Sequence, residues 1–458
     1  METRTHLERR ETLVVGLLLF GLFFGAGNII FPVKLGQAAA ANYGISSIGF
    51  IVTAVGVPIL GIISSALSQR QGLRSYALPL GKFSATAFTL ALYLTIGPFF
   101  AIPRTATVAF EVGVASYLEQ DTGTVLLLYS FVFFLLVWFF SRKPSKLIDV
   151  VGKVMTPLFL VLIALFLLAV LFFPVNQPSA YAPTGAYADQ AFTQGMLGGY
   201  NTMDALAALA FAIVINDNIK NLGVKKPKRI AVETMRSSLI TIILFSLIYG
   251  GLVYLGAASR DLSQLDQNGG LILALVCRHY FGDVGQVLLA LTIGVACLKT
   301  SIGLVVSISE TFVQLFPKTS YKFWMYTFVL VSFGIANFGL NSIIQWSVPI
   351  LMLLYPIAMA LIFLWILRSF WNFSDLIFKT TIFFVFLAAI FDLLTNLPLG
   401  LNKLPFAVSL IDFAKTYLPL YDYGLGWVCP SLLGFVLGLV LSLIFRKNSL
   451  ENEPVSGN

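Results

Sequence analysis

Apolar runs long enough to cross a bilayer recur along this chain, at about 12–40, 44–66, 83–112, 122–141, 147–174, 192–218, 234–257, 283–316, 321–340, 343–369, 377–395 and 424–446. Lipid offers the backbone no hydrogen-bond partner, so a spanning segment must pair its own amides as a helix or join a closed barrel. The chain is therefore an all-α polytopic membrane protein of about twelve transmembrane helices. Composition agrees: 58% of the 458 residues are hydrophobic and 11% are charged. Connecting loops are short, and the longest, 175–191, is polar. One transmembrane domain, 1–446, is expected, followed by a disordered cytoplasmic tail, 447–458.

The basic residues give an orientation. With the N-terminus inside, about 22 of the 29 Lys and Arg fall in or beside inner loops, and only about four lie outside. Both termini are then cytoplasmic, and the net charge of +8 reflects inner loops rather than nucleic-acid binding. Arg9 and Arg10 before an apolar run resemble a signal peptide, but the small-residue stretch at 38–41 lies too far along for cleavage. Cys277, Cys297 and Cys429, with His6 and His279, form no metal or redox spacing.

Within the first span the stretch "GLFFGAGNIIFP", residues 21–32, carries three glycines, an asparagine and a proline. Glycine permits an unwound backbone and lets it approach a ligand. Asn28 brings both a carbonyl and an amide, and Pro32 can open a new helix because it lacks an N–H. The sixth span repeats the pattern as "GGYNTMDALAAL", 198–209, with Thr202 and Asp204 added. Two interrupted helices at matching places in two halves point to a transporter site. Helices 1 and 6 are thus expected to be broken. Spans 1–5 and 6–10 would form an inverted repeat, about 12–174 and 192–369, with extra helices at about 377–446. Freed N–H groups at a half-helix start suit a carboxylate, and carbonyls at a helix end suit a cation. A zwitterionic amino acid with a co-transported cation matches both. Phe23, Phe24, Ile29, Ile30 and Met203 are candidates for its apolar pocket.

These motifs, together with the span number, closely resemble the BrnQ-type branched-chain amino acid carriers, the LIVCS family of the amino acid–polyamine–cation superfamily. The resemblance covers nearly the whole chain. It implies a LeuT-like 5+5 inverted repeat and import of leucine, isoleucine and valine across the cell membrane, coupled to Na+ or H+. Gly25, Gly27, Asn28 and Pro32 match the LeuT-type first-helix pattern. That match implies that the amides of Ala26 and Gly27 receive the substrate carboxylate. It also implies that carbonyls of Gly21, Phe23 and Phe24 and the Asn28 side chain lie near cation positions. In the sixth helix Gly199, Tyr200, Asn201, Thr202, Met203 and Asp204 would face the substrate amine and side chain. Ile30 stands where many LeuT-like first helices have an arginine. In the eighth span "ACLKTSIGL" puts either Lys299 and Thr300 or Thr300 and Ser301 at the places of sodium-ligating hydroxyl residues.

Charges at membrane depth need a partner or a wet cavity. Lys299 could place its ammonium where related carriers hold sodium, or it could form a structural ion pair. Asp204 could bind the amine or a cation, or cap the half-helix that follows it. Arg104, in the outer part of the third span, could join an outer gate; snorkelling to the headgroups is the simpler expectation. Glu310 is too far from Lys299 for contact.

No Walker sequence, HExxH or serine–histidine pattern marks an enzyme. The alternatives are a carrier of the same fold for another small neutral amino acid or, in a different class, a channel. No cofactor beyond the coupling ion is implied. The expected partners are the small-molecule substrate and the lipid bilayer, with no obligate protein partner.

Overall fold

The structure, a computed structural model, describes residues 4–70, 72–118, 122–142, 160–265 and 267–451. The first part of the expected fifth span, 147–159, lies outside the described residues, as does 452–458 of the expected tail. Among the described residues every regular element is helical. In chain order these are α1 (Arg9–Phe23), α2 (Ala26–Ala39), α3 (Tyr43–Ile51), α4 (Val57–Ser68), α5 (Leu73–Ala77), α6 (Lys82–Leu94), α7 (Ala101–Gly113) and α8 (Thr122–Ser141). They continue with α9 (Leu160–Phe172), α10 (Ala191–Tyr200), α11 (Asp204–Asn221), α12 (Pro227–Ala258) and α13 (Gly269–Leu315). The last are α14 (Tyr321–Ala336), α15 (Leu340–Phe370), α16 (Asp375–Thr395), α17 (Pro405–Tyr417) and α18 (Val428–Glu451).

Seven helical stretches among the described residues are long and apolar enough to cross a membrane, or eight with the bent pair α10–α11 counted as one. Leu160–Phe172, Tyr321–Ala336 and Val428–Ile444 are shorter apolar helices. Two of the long stretches, Ala26–Ser68 and Gly269–Leu315, hold 43 and 47 residues. About 20 residues suffice for one crossing, so each has length to spare. Both are interrupted. The chain turns at Ala40 (φ 44°, ψ −116°) between α2 and α3, and at Gly282 (φ 62°) within α13.

Glycines set the central packing. A Cβ on Gly36 of α2 would fall onto the carbonyl oxygen of Val253 on α12. One on Gly256 of α12 would fall onto that of Val33 on α2. The α1–α12 contact is similar: a Cβ on Gly16 would lie 2.6 Å from the Ser237 carbonyl oxygen. Elsewhere, Gly49 of α3 and Gly195 of α10 each abut the other helix's backbone, at the carbonyls of Phe192 and Ser46. Small residues let backbones meet this closely and so maximise dispersion contact where lipid supplies no hydrophobic drive. The result is a recurring arrangement. The successive helices α1 and α2 both lie along α12, while α10 and α11 lie along α3 and α4. Leu128, Phe131, Val132, Phe172 and Leu443 of α8, α9 and α18 remain exposed, as suits side chains that meet acyl chains.

Four local expectations change. Pro32 does not open a helix; α2 starts at Ala26, and Pro32 lies inside it. The Asn28 side-chain oxygen accepts from the Gly25 N–H at 2.9 Å, which supports an earlier start. The third span, 83–112, is interrupted: α6 passes through a π-turn, Thr95–Phe99, with Gly97 at φ −107° and ψ −127°, before α7 begins. Pro98 and Pro103 lack the N–H groups an unbroken ladder would need. The stretch between the last two expected spans contains α17. Its Ala407, Ile411 and Ala414 are buried while Phe406, Phe413 and Tyr417 are exposed. At 13 residues it is too short to cross, and one face packs on α16. Finally, α18 continues to Glu451, beyond the expected start of the tail at 447.

Candidate functional site

Two chain interruptions face one another across a cavity. The first separates α1 from α2. Phe24 (φ −72°, ψ 102°) and Gly25 (φ −131°, ψ −172°) are extended, so helical bonding stops and restarts. Ala26 and Gly27 take the first two positions of α2, where helix geometry supplies their N–H groups with no intrahelical acceptor. The second interruption separates α10 from α11, which meet at a bend of 48°. Met203 sits in the left-handed region (φ 63°, ψ 11°), a conformation unfavourable by roughly 1–2 kcal/mol for a side-chain-bearing residue. Three tight backbone bonds, from Asn201, Thr202 and Met203 to Gly198, Gly199 and Tyr200, close the end of α10.

Asn28 joins the two breaks. Its side-chain nitrogen donates to the Asp204 carboxylate at 2.5 Å and to the Tyr249 hydroxyl at 2.5 Å. The Tyr249 hydroxyl in turn donates to the same carboxylate oxygen at 3.5 Å. Asn28 and Asp204 are 2% and 3% exposed. Asp204 does not cap α11 through its side chain: it is the first residue of the helix, after Met203 at the cap. Its carboxylate reaches α2 and α12 instead.

The cavity is a tight one of about 70 Å³. Its polar wall contains the first turn of α2, with Asn28, Arg104, Thr105, Thr202 and Asp204. Its apolar wall contains Leu22, Phe23, Ile96, Met203, Ala207, Phe211 and Leu304. Thr300 of α13 also lines it, and its methyl would lie 3.8 Å from a Cβ on Gly25. The Thr105 and Ser301 hydroxyls share a hydrogen bond of 2.5 Å that ties α7 to α13 behind this wall.

The expected site residues divide accordingly. Gly25, Ala26, Gly27, Asn28, Thr202, Met203, Asp204, Phe23 and Thr300 line the cavity. Gly21, Phe24, Gly199, Tyr200, Asn201, Lys299 and Ser301 do not. A Cβ on Gly199 would fall onto the Thr53 hydroxyl, so this glycine serves close packing of α10. Tyr200 stacks on Tyr355 with ring centroids 4.2 Å apart. Asn201 offers its carbonyl to Arg104. Phe24 stacks on Phe20 at 5.0 Å. Lys299 is half-buried on α13, next to Thr300. Of the expected apolar pocket, Phe23 and Met203 line the cavity, while Ile29 and Ile30 are buried elsewhere in the core.

Arg104 corrects the sequence-based expectation most sharply. Instead of snorkelling it is 3% exposed and points into the cavity. Nη1 donates to the Asn201 carbonyl at 2.7 Å, and Cζ lies 5.0 Å from the Phe31 ring centroid. Arg104 lies in the first turn of α7, just after the break at Gly97, and faces the cavity. The clue lay in "GPFFAIPRT", 97–105, where glycine and two prolines precede a charge. Tyr249 was also missed, because a tyrosine in an apolar run reads as ordinary core.

The comparisons with known proteins agree with this architecture. Residues 8–445 match the family described as "Branched-chain amino acid transport protein". The chain is 42% identical over 446 residues to the branched-chain amino acid permease BrnQ of Lactobacillus delbrueckii subsp. lactis, covering 97% of this chain and 99% of that one. It is 39% identical to BrnQ of Bacillus subtilis, covering 95% and 98%. It is 38% identical to the branched-chain amino acid transport system 2 carrier protein of Pseudomonas aeruginosa, covering 97% and 98%. Among solved structures it is similar in fold to Mhp1, a nucleobase–cation symporter, with TM-score 0.60, 11% identity and coverage of 96% and 93%. MhsT in complex with L-phenylalanine gives TM-score 0.54, 15% identity and coverage of 97% and 99%. The fold is therefore that of the LeuT-like transporters, and the chain is a transporter rather than an enzyme: it belongs to the branched-chain amino acid transport protein family.

Proposed function

We propose that this protein is a secondary active symporter that imports leucine, isoleucine and valine across the cell membrane, coupled to Na+ or H+. The observation that carries the substrate reading is the cavity between the two interruptions. It offers the first-turn amides of α2, which helix geometry leaves without an intrahelical acceptor, a buried carboxylate at Asp204 and an apolar wall. A branched-chain amino acid has the matching parts: an anionic carboxylate, a cationic amine and a compact apolar side chain. The amides of Ala26 and Gly27 suit the carboxylate, and Asp204 suits the amine. Ile96, Ala207, Phe211 and Leu304 suit the side chain.

The twelve-span count with helices 1 and 6 broken is the topology we favour. It takes α1–α2 and α10–α11 as single interrupted spans. The packing of α1 and α2 along α12, and of α10 and α11 along α3 and α4, supports the inverted repeat. An inversion that exchanges span 1 with 6 and span 2 with 7 relates those two sets of contacts. Alternating access would then come from one bundle rocking against the other about the fixed site. The distribution of Lys and Arg supports cytoplasmic termini.

For the coupling ion, the end of α1 and the segment of α13 holding Lys299, Thr300 and Ser301 are the proposed region. Helix-end carbonyls attract a cation there, and the Lys299 ammonium supplies a fixed one. Leucine uptake into vesicles of purified protein, with sodium and proton gradients imposed separately, tests the function. Accumulation driven by either gradient supports symport; leucine flux unaffected by both contradicts it.

A further inference from the structure

We infer that Arg104 is the carboxylate-recognising residue of this carrier, its guanidinium closing on the substrate carboxylate together with the amides of Ala26 and Gly27. The inference rests on the amino acid reading above and deepens it. Its starting point is the placement of a fixed cation beside a helix N-terminus. A Cβ on Gly27 would lie 2.9 Å from Arg104 Nη2 and 3.3 Å from Cζ, so the guanidinium touches the first turn of α2. A side chain at position 27 would push the guanidinium from this place.

Two groups that both carry positive potential repel one another unless an anion sits between them. Inside the protein that repulsion is screened less than in water. The carboxylate of a bound amino acid is such an anion, and the cavity both groups line is where it would sit. The guanidinium has donors to spare. It carries five N–H groups in a fixed fork, and among the described residues it donates one hydrogen bond, to Asn201. That bond anchors one arm at the α10–α11 break. The remaining arms can pair with a carboxylate in the two-pronged geometry that arginine favours.

Charge balance points the same way. Arg104 and Asp204 are both 3% exposed and line the same cavity, yet their separation exceeds the 4.0 Å of an ion pair. Each instead bonds a neutral neighbour: Arg104 the Asn201 carbonyl, Asp204 the Asn28 amide. Opposite charges held apart in one hollow match the two ends of a zwitterion. A buried charge left without a partner is strongly unfavourable, so a substrate that meets both is strongly preferred over one that meets a single end.

The test compares L-leucine with L-leucinol, which keeps the amine and side chain but lacks the carboxylate. Binding of each to purified carrier is measured calorimetrically for wild type, R104Q, R104K and Gly27→Ala, with thermal unfolding to establish that each variant is folded. Wild type is expected to favour leucine over leucinol strongly. R104Q should bind leucine about 10- to 100-fold more weakly, the range for a lost charged hydrogen bond, while leucinol binding changes little. The leucine-to-leucinol preference then collapses. R104K, which keeps charge without the fork, should fall between, as should Gly27→Ala, whose methyl displaces the guanidinium. A folded R104Q that binds leucine like wild type overturns the inference. So does one that loses leucine and leucinol in equal proportion, because a purely structural role for Arg104 predicts that. Wild-type protein that binds neither compound overturns the amino acid reading itself, a failure distinct from these.

Discussion

The Asn28 side-chain amide donates to the Asp204 carboxylate at 2.5 Å and so ties the first turn of α2 to the first turn of α11. One bond thus couples two helix starts that lie 176 residues apart in the chain. It also explains the pairing of residue types at the two interruptions. An amide can accept from Gly25 with its oxygen and donate across the gap with its nitrogen, and a carboxylate can accept there and still hold lone pairs for a cationic amine.

Asp204→Asn should reduce leucine uptake by at least about 10-fold while the protein inserts normally, because a neutral amide cannot pair with an ammonium as a carboxylate does. Tyr249→Phe removes both the 3.5 Å donor to that carboxylate and the hydroxyl that accepts from Asn28 and should weaken uptake by about 5- to 30-fold, the effect of roughly 1–2 kcal/mol. Uptake assays normalised to membrane-inserted protein check both. Wild-type rates in Asp204→Asn would exclude a direct role.

The apolar wall should set substrate size. Phe211→Ala opens the cavity and should admit phenylalanine as a competitor of leucine uptake. Ala207→Leu fills it and should exclude leucine more than alanine. Each methylene gained or lost in such a pocket is worth about 1–3 kcal/mol, or roughly 10- to 200-fold. Competition profiles unchanged in both variants would place the side-chain pocket elsewhere.

Lys299→Ala should uncouple accumulation from exchange. If the α13 segment supplies the driving cation's site, the variant loses gradient-driven uptake but still exchanges labelled for unlabelled leucine across vesicles. Accumulation at the wild-type level would remove Lys299 from the coupling scheme.

The crossing of α2 and α12 should tolerate no side chain. Gly256→Val and Gly36→Val each force a Cβ onto a backbone carbonyl oxygen. A carbonyl held in a helix yields less than a side chain, so each substitution should destabilise by about 3 kcal/mol, the upper end for overpacking. Thermal unfolding in detergent would register this. The same change at Gly44, where a Cβ meets nothing within 4 Å, should have little effect on the midpoint.

Much of this architecture was legible because lipid imposes strict rules. Apolar run length marked most of the helices. Glycine beside asparagine pointed to the stretches around Gly25 and 201–203, where α1 gives way to α2 and α10 to α11. Arg104 was not legible in the same way. It follows the break at Gly97 closely, and a sequence window reports only that an arginine stands near one end of a span. Tyr249 meets Asp204 through a fold in which α12 runs along α2, a relationship no local pattern encodes. Gly199 misled for a related reason: a glycine freed for substrate and one pressed against Thr53 look alike in sequence. The helix α17 escaped because its apolar residues line a short amphipathic face rather than a crossing.

The central claim is that substrate sits between the two interruptions, and an experimental structure of the carrier with bound leucine tests it most directly. The account predicts the leucine carboxylate at the amides of Ala26 and Gly27 and at the Arg104 guanidinium, the amine at Asp204, and the side chain against Ile96 and Phe211. Leucine bound at full occupancy anywhere else, with this cavity unchanged, would contradict it.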